Sequence, residues 1–159
     1  MTIPASAASV RASVEVEAPI ERAFEVFTEG IGSWWDPTHH ILQAELAEMV
    51  FEPRVGGRIC DRGVDGSECC WARVLAYEPP HRVVFSWDIS PQWQIETDPD
   101  KTSEVEVRFI AESPDRTRVE LEHRHLQRHG AGWESERDGV ANDQGWPLYL
   151  ERFAGLIGS

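Results

Sequence analysis

Two runs of strict alternation, joined by a turn, leave the middle of this chain few ways to fold. Val105, Val107 and Phe109 alternate with Glu104, Glu106 and Arg108, and Val119, Leu121 and His123 alternate with Glu120, Glu122 and Arg124. Period-two patterning sends the apolar set to one side of each strand and the charged set to the other, so residues 103–125 are predicted to form two half-buried antiparallel strands. Ser113, Pro114, Asp115 and Arg116 supply the turn, with Pro fixing its own φ and the polar side chains able to bond local backbone. A sheet built this way has one face that another part of the chain must cover.

The cover lies at the C-terminal end. Trp146, Tyr149, Leu150, Phe153 and Ile157 recur at the spacing of an amphipathic helix. Pro147 is tolerated only in a first turn, so the regular part of that helix should begin close to Trp146. Near the N-terminus, Ala12, Val14 and Val16 alternate with the polar Arg11, Ser13, Glu15 and Glu17 as a first strand. Pro19 then opens a helix carrying Ile20, Ala23, Phe24 and Phe27 on one side, ended by Gly30 and Gly32. A short segment from Ile31 to Trp35 follows, closed by Asp36 and Pro37. Further strands are read at 46–51, 57–62, 68–77 and 82–89, punctuated by Gly63, Asp65, Gly66 and the pair Pro79 and Pro80. The polar stretch 127–145, with four glycines, reads as a loop or lid with room for a short helical turn.

The order of elements specifies an α+β domain spanning residues 1–159. It is a curved antiparallel sheet of about six to seven strands gripping a long C-terminal helix, with one or two short helices after the first strand. A chain of 159 residues is long enough for one such core without staples. A cavity is expected between the sheet and the last helix.

Charge narrows the partners. Against 15 basic side chains stand 28 acidic ones, a formal net charge of −13, which repels phosphate backbones and anionic lipid. Nucleic acid and membrane are therefore excluded as partners. The first residues, MTIPASAASV, lack the apolar core of a signal peptide, and no apolar run of about 18 residues could span a bilayer. Cysteines at 60, 69 and 70 cannot all pair with one another, which fits a reducing, cytoplasmic setting.

Several stretches together resemble the SRPBCC superfamily of START-like helix-grip domains, in the branch similar to the C-terminal domain of the activator of the heat-shock-90 ATPase. They are Val16, Ala18, Pro19 and Ala23-Phe24; Trp34-Trp35; Glu52-Pro53-Arg54-Val55-Gly56-Gly57-Arg58; Asp65-Gly66; Arg73-Val74-Leu75; the run from Glu78 to Trp87; Glu122-His123; and Gly145-Trp146-Pro147. The resemblance covers nearly the whole chain and rests on order and spacing. It implies binding of an apolar or amphipathic small molecule in the cavity, and some relatives of this kind are cyclases, hydrolases or dehydratases. It also implies a polar group at His123, and Cys70 departs from the acidic residue expected in this branch.

The candidate lining residues are Trp35, Trp71, Phe85, Trp87, Phe109, His123, His125, Trp146, Tyr149 and Phe153, with Arg73 as a further orienting group. Adjacent Trp34 and Trp35 are not expected both to point inward, so one is assigned to the cavity mouth. His123 and His125 continue the inward face of their strand at i, i+2, which suits acid/base work. That spacing also permits metal ligation, with Cys60, Cys69 or His39 as a third ligand, but nothing in the sequence brings a third ligand close, so no metal or cofactor is expected. If Arg62 opposes Ser67, Cys60 faces Cys69, and two buried free thiols are expected there rather than a strained bridge. The leading expectation is a binder of a small apolar or aromatic molecule. A cavity enzyme using His123 or His125 as acid/base is the alternative, and a co-chaperone-like interaction protein is a third reading drawn from the family name. A homodimer is left open.

Overall fold

The computed structural model describes residues 8–35, 44–143 and 145–157. Asp36, Pro37 and His39 lie outside them. The described residues form one seven-stranded antiparallel sheet in the order β1-β7-β6-β5-β4-β3-β2. The strands are β1 Val10–Val16, β2 Leu46–Phe51, β3 Arg58–Gly63, β4 Glu68–Glu78, β5 Arg82–Trp87, β6 Ser103–Ser113 and β7 Arg116–Arg124. Three α-helices lie among the described residues: α1 Ile20–Thr28, α2 Trp133–Ala141 and α3 Trp146–Ile157. None of these helices is long and apolar enough to cross a membrane.

The expected α+β helix-grip architecture is the one observed. Register shifts between β2 and β3, β3 and β4, and β4 and β5 mark bulges, which bend and twist a sheet and here let it curl around α3. Val74, Phe85, Val105, His123 and Val10 follow one another across five strands in a single row. Ser103, opposite Trp87, stands two residues before Val105 on the same inward face.

α1 starts after Pro19 and buries Ala23, Phe24 and Phe27. α3 buries Trp146, Tyr149, Leu150, Phe153 and Ala154. Ring contacts of 5.3 Å between Phe27 and Phe153 and 5.1 Å between Phe24 and Phe109 join α1, α3 and the sheet. Fully burying each such ring contributes on the order of 1.5–3 kcal/mol.

Four expectations are corrected. The stretch read as a loop or lid contains the nine-residue helix α2, which buries Glu136 and Val140 one turn apart. Close approaches explain two of its four glycines: a Cβ on Gly139 would lie 2.9 Å from Cζ2 of Trp93, and one on Gly145 would lie 2.2 Å from the Val140 carbonyl oxygen. Trp34 and Trp35 are both buried. They follow a 3-10 turn at Ile31–Ser33, where successive side chains do not alternate as they do in a strand, so Trp34 reaches Phe27 and Phe153 while Trp35 reaches Tyr149 and Trp71. The third correction concerns the β3–β4 pairing. Arg62 faces Glu68, Asp61 faces Cys69, and the bulge after Ile59 brings Cys60 opposite Cys70, to which it is joined by a disulfide. Cys69 is the free cysteine, and burial, with Asp61 second, pushes its thiol up. Finally, β7 stops at Arg124, and His125 turns the chain with φ 62°, so it leaves the inward face that His123 occupies.

Candidate functional site

The sheet's inner face and α3 enclose a continuous set of aromatic rings. Trp35 stacks on Tyr149 at 4.2 Å and lies 5.1 Å from Trp71; Trp71 meets Trp87 at 5.5 Å, and Trp87 meets Trp146 at 5.5 Å. Phe85 closes against Trp71 at 6.2 Å. Seven of the ten expected lining residues thus come together: Trp35, Trp71, Phe85, Trp87, His123, Trp146 and Tyr149. Phe109 and Phe153 pack around Phe27 beneath α1 and are joined to the other rings through Trp34. His125 stands apart in the turn after β7.

Buried polar groups thread these rings, as they must, because an indole N–H removed from water without a partner costs about 1–3 kcal/mol. Trp71 Nε1 donates to Asp61 Oδ1 at 3.2 Å. Trp146 Nε1 donates to His123 Nδ1 at 3.1 Å. Ser103 Oγ lies 2.7 Å from Nε2 of His123 and 2.7 Å from Nε2 of His129. Trp87 Nε1 donates to Glu136 Oε2 at 2.9 Å, and the other carboxylate oxygen faces His129 Nδ1 at 3.5 Å, too far for a hydrogen bond. His123, Ser103 and Glu136 are wholly enclosed.

Burial decides the charge states. It drives His123 down to about 3, with His129 as the next cause, and it lowers His129 as well. It pushes Glu136 up to about 8 despite the opposing hydrogen bond from Trp87. At neutral pH the site therefore holds uncharged imidazoles. Arg73, expected as an orienting group, is committed elsewhere: its Nε and Nη2 each meet Asp88 at 3.1 Å, and Nη2 also donates to Thr102 at 3.2 Å.

His129 and Glu136 were not among the residues the sequence pointed to. The signal for Glu136 is its one-turn spacing from Val140. Ser103 was not named either, and its signal is its place at the first inward position of β6, where a small polar residue replaces the valines that follow. For metal binding, Cys60, Glu68 and Cys70 come together among the described residues, but the two sulfurs are bonded to each other and offer no thiolate.

Known proteins resemble the chain as follows. The family profile described as activator of Hsp90 ATPase homolog 1-like protein matches residues 17–158. Among solved structures, an anthrahydroquino-gamma-pyrone synthase, Txn09, complexed with SUM, is 42% identical over 94% of this chain and 96% of its own, with a TM-score of 0.67. The self-sacrificing resistance protein CalC from Micromonospora echinospora is 26% identical over 94% of this chain and 93% of its own, with a TM-score of 0.60. Protein NE0264 from Nitrosomonas europaea shares the fold at 13% identity, covering 98% of this chain and 97% of its own, with a TM-score of 0.67. No curated protein matches the chain. A profile match over nearly the whole length, on a curled sheet gripping α3, makes the chain a member of the activator of Hsp90 ATPase homolog 1-like family of helix-grip domains.

Proposed function

We propose that the chain binds a planar aromatic molecule between the inner face of the sheet and α3 and promotes a ring closure on it, with His123 as the acid/base group. One observation carries this reading: an imidazole held uncharged on an inner face and packed between the indoles of Trp87 and Trp146. A planar ligand gains most from offset stacking on such rings. The Trp35–Tyr149 stack has the geometry such a ligand would take over, so entry separates those two rings. The name of the 42% identical relative, an anthrahydroquino-gamma-pyrone synthase, supports an anthrahydroquinone-like substrate class and a pyrone-forming reaction. Ring closure of this type moves a proton off a hydroxyl, and a neutral imidazole can take it.

The test uses a hydroxyanthraquinone dye and an anthrahydroquinone substrate. The dye should bind saturably in calorimetry and quench tryptophan emission. His123→Gln should keep binding while slowing turnover by about 10²–10⁴-fold. A dye that fails to bind the wild-type protein sinks the cavity reading. Binding with equal turnover in His123→Gln removes the assignment of His123 and leaves a carrier.

A further inference from the structure

The buried polar chain has a direction. An indole N–H can only donate, so the bond from Trp146 makes His123 Nδ1 an acceptor and places the proton of the neutral ring on Nε2. Nε2–H then donates to Ser103 Oγ, the serine hydroxyl donates to His129 Nε2, and the proton of His129 sits on Nδ1, facing Glu136. At the far end a second indole, that of Trp87, also donates to Glu136. Both ends of the chain therefore point at one carboxyl group.

Counting protons makes the consequence plain. Between the two indoles lie three links, His123–Ser103, Ser103–His129 and His129–Glu136. Each link needs one proton, and the two rings and the hydroxyl supply them. An ionised Glu136 completes the set. A protonated Glu136 brings a surplus proton that meets the Nδ1–H of His129 head on, and that is where the structure leaves its unbonded pair, His129 Nδ1 and Glu136 Oε1.

We propose that Glu136 is the proton acceptor of the site, reached from His123 through Ser103 and His129. This rests on the cavity reading above. When a ligand hydroxyl takes the place of the Trp146 N–H at His123 Nδ1, its O–H bond breaks and Nδ1–H forms. Nε2–H of His123 passes to Ser103 Oγ, the serine proton passes to His129 Nε2, and Nδ1–H of His129 passes to Glu136 Oε1. One proton leaves the ligand and one arrives on the carboxylate, while both imidazoles stay uncharged. That matters in a site where burial so strongly disfavours imidazolium. The relay accepts protons when Glu136 is ionised, above about 8, and returns them when it is not. Around His129 stand Glu96, the Lys101 backbone and Asp88, itself paired with Arg73, and all three favour its protonation and oppose the effect of burial.

Two measurements on the full chain test this. Without ligand, infrared difference spectra between about pH 6 and pH 10 should show a protonated-carboxyl band that disappears on raising the pH and is absent in Glu136→Gln. No such band in the wild type, or the same band in the variant, overturns the proposal. With a hydroxyanthraquinone whose phenol is still protonated at about pH 8, the wild-type complex should show phenolate colour without releasing a proton to the buffer. Glu136→Gln, whose amide oxygen still accepts from Trp87, and Ser103→Ala should bind the dye within about threefold of the wild-type affinity but lose at least about tenfold of the phenolate fraction. Phenolate retained in Glu136→Gln overturns the relay. Failure of the dye to bind overturns the cavity reading instead, and the infrared result alone then decides the fate of the acceptor.

Discussion

Two glutamates, Glu106 and Glu136, are both removed from water, and the protein treats them in opposite ways. Glu106 lies on the outer face of β6, and burial alone would raise its carboxyl. A hydrogen bond from Arg82 and the charges of Arg124, Arg82 and Arg108 hold it below the ordinary value. Glu136 lies over the inner face, where an indole N–H and an uncharged imidazole are its neighbours, and burial raises it to about 8. The two faces of β6 and β7 differ in the same way. Outward, Arg124 bonds Glu104 and Glu106 in a ladder of charge; inward, Ser103, Val105 and His123 carry none. Burial raises both carboxyl groups, and only the charged partners of Glu106 reverse it.

The largest expected effect that probes this contrast is on the inner face. His123→Ala strands the Trp146 N–H, breaks the bond to Ser103 and opens a hole, so urea unfolding should show a loss of about 4 kcal/mol. A loss under about 1 kcal/mol would mean that the inner network contributes no more than a surface pair.

Next comes pH. Glu136 has a raised value in the folded state, so its contribution to stability is complete below the unfolded carboxyl value and drains away as pH rises through about 8. The depressed His123 and His129 act in the other direction, losing stability as pH falls from about 6.5 through their folded values. Urea midpoints should therefore trace a dome. Glu136→Gln should flatten its alkaline side by on the order of 3 kcal/mol and leave its acid side standing. An alkaline side unchanged in that variant would place the titration elsewhere.

Smaller again is Glu106→Gln, expected to cost about 1 kcal/mol, and less in high salt, because Arg82 and Arg124 keep partial access to solvent. A loss as large as that of His123→Ala would erase the distinction between the faces. Arg118→Ala breaks a pair with Glu120 that is open to water on both sides, and thermal unfolding should move by less than the equivalent of about 0.5 kcal/mol.

Sequence patterning reads some of this well and some of it not at all, for reasons that differ residue by residue. The β6–β7 hairpin is legible because both of its faces are marked, one by valines and one by charges. Helix α3 is legible because its apolar stripe is long. Helix α2 hides behind Gly132, Gly139 and four charged residues, and only Glu136 and Val140 reach the interior, so no stripe shows. The Cys60–Cys70 pairing depends on a bulge after Ile59, and one inserted residue shifts a register without leaving a compositional trace. His125 follows the alternation on paper, but a left-handed backbone ends the strand before it. Of the site, the aromatic walls and His123 follow from strand position, whereas His129 and Glu136 arrive through a turn and a short helix whose placement is a tertiary matter.

The bare spot at Gly139 has a use outside chemistry. Trp93 rests against it, half exposed, while Trp34, Trp35, Trp71, Trp87 and Trp146 are buried. Excitation of the indoles combined with an aqueous quencher singles out Trp93 and the partly exposed Trp133 of α2 itself, and their emission reports how closely that helix is seated. The helix that carries Glu136 thus comes with an optical gauge already in the chain, readable without a label.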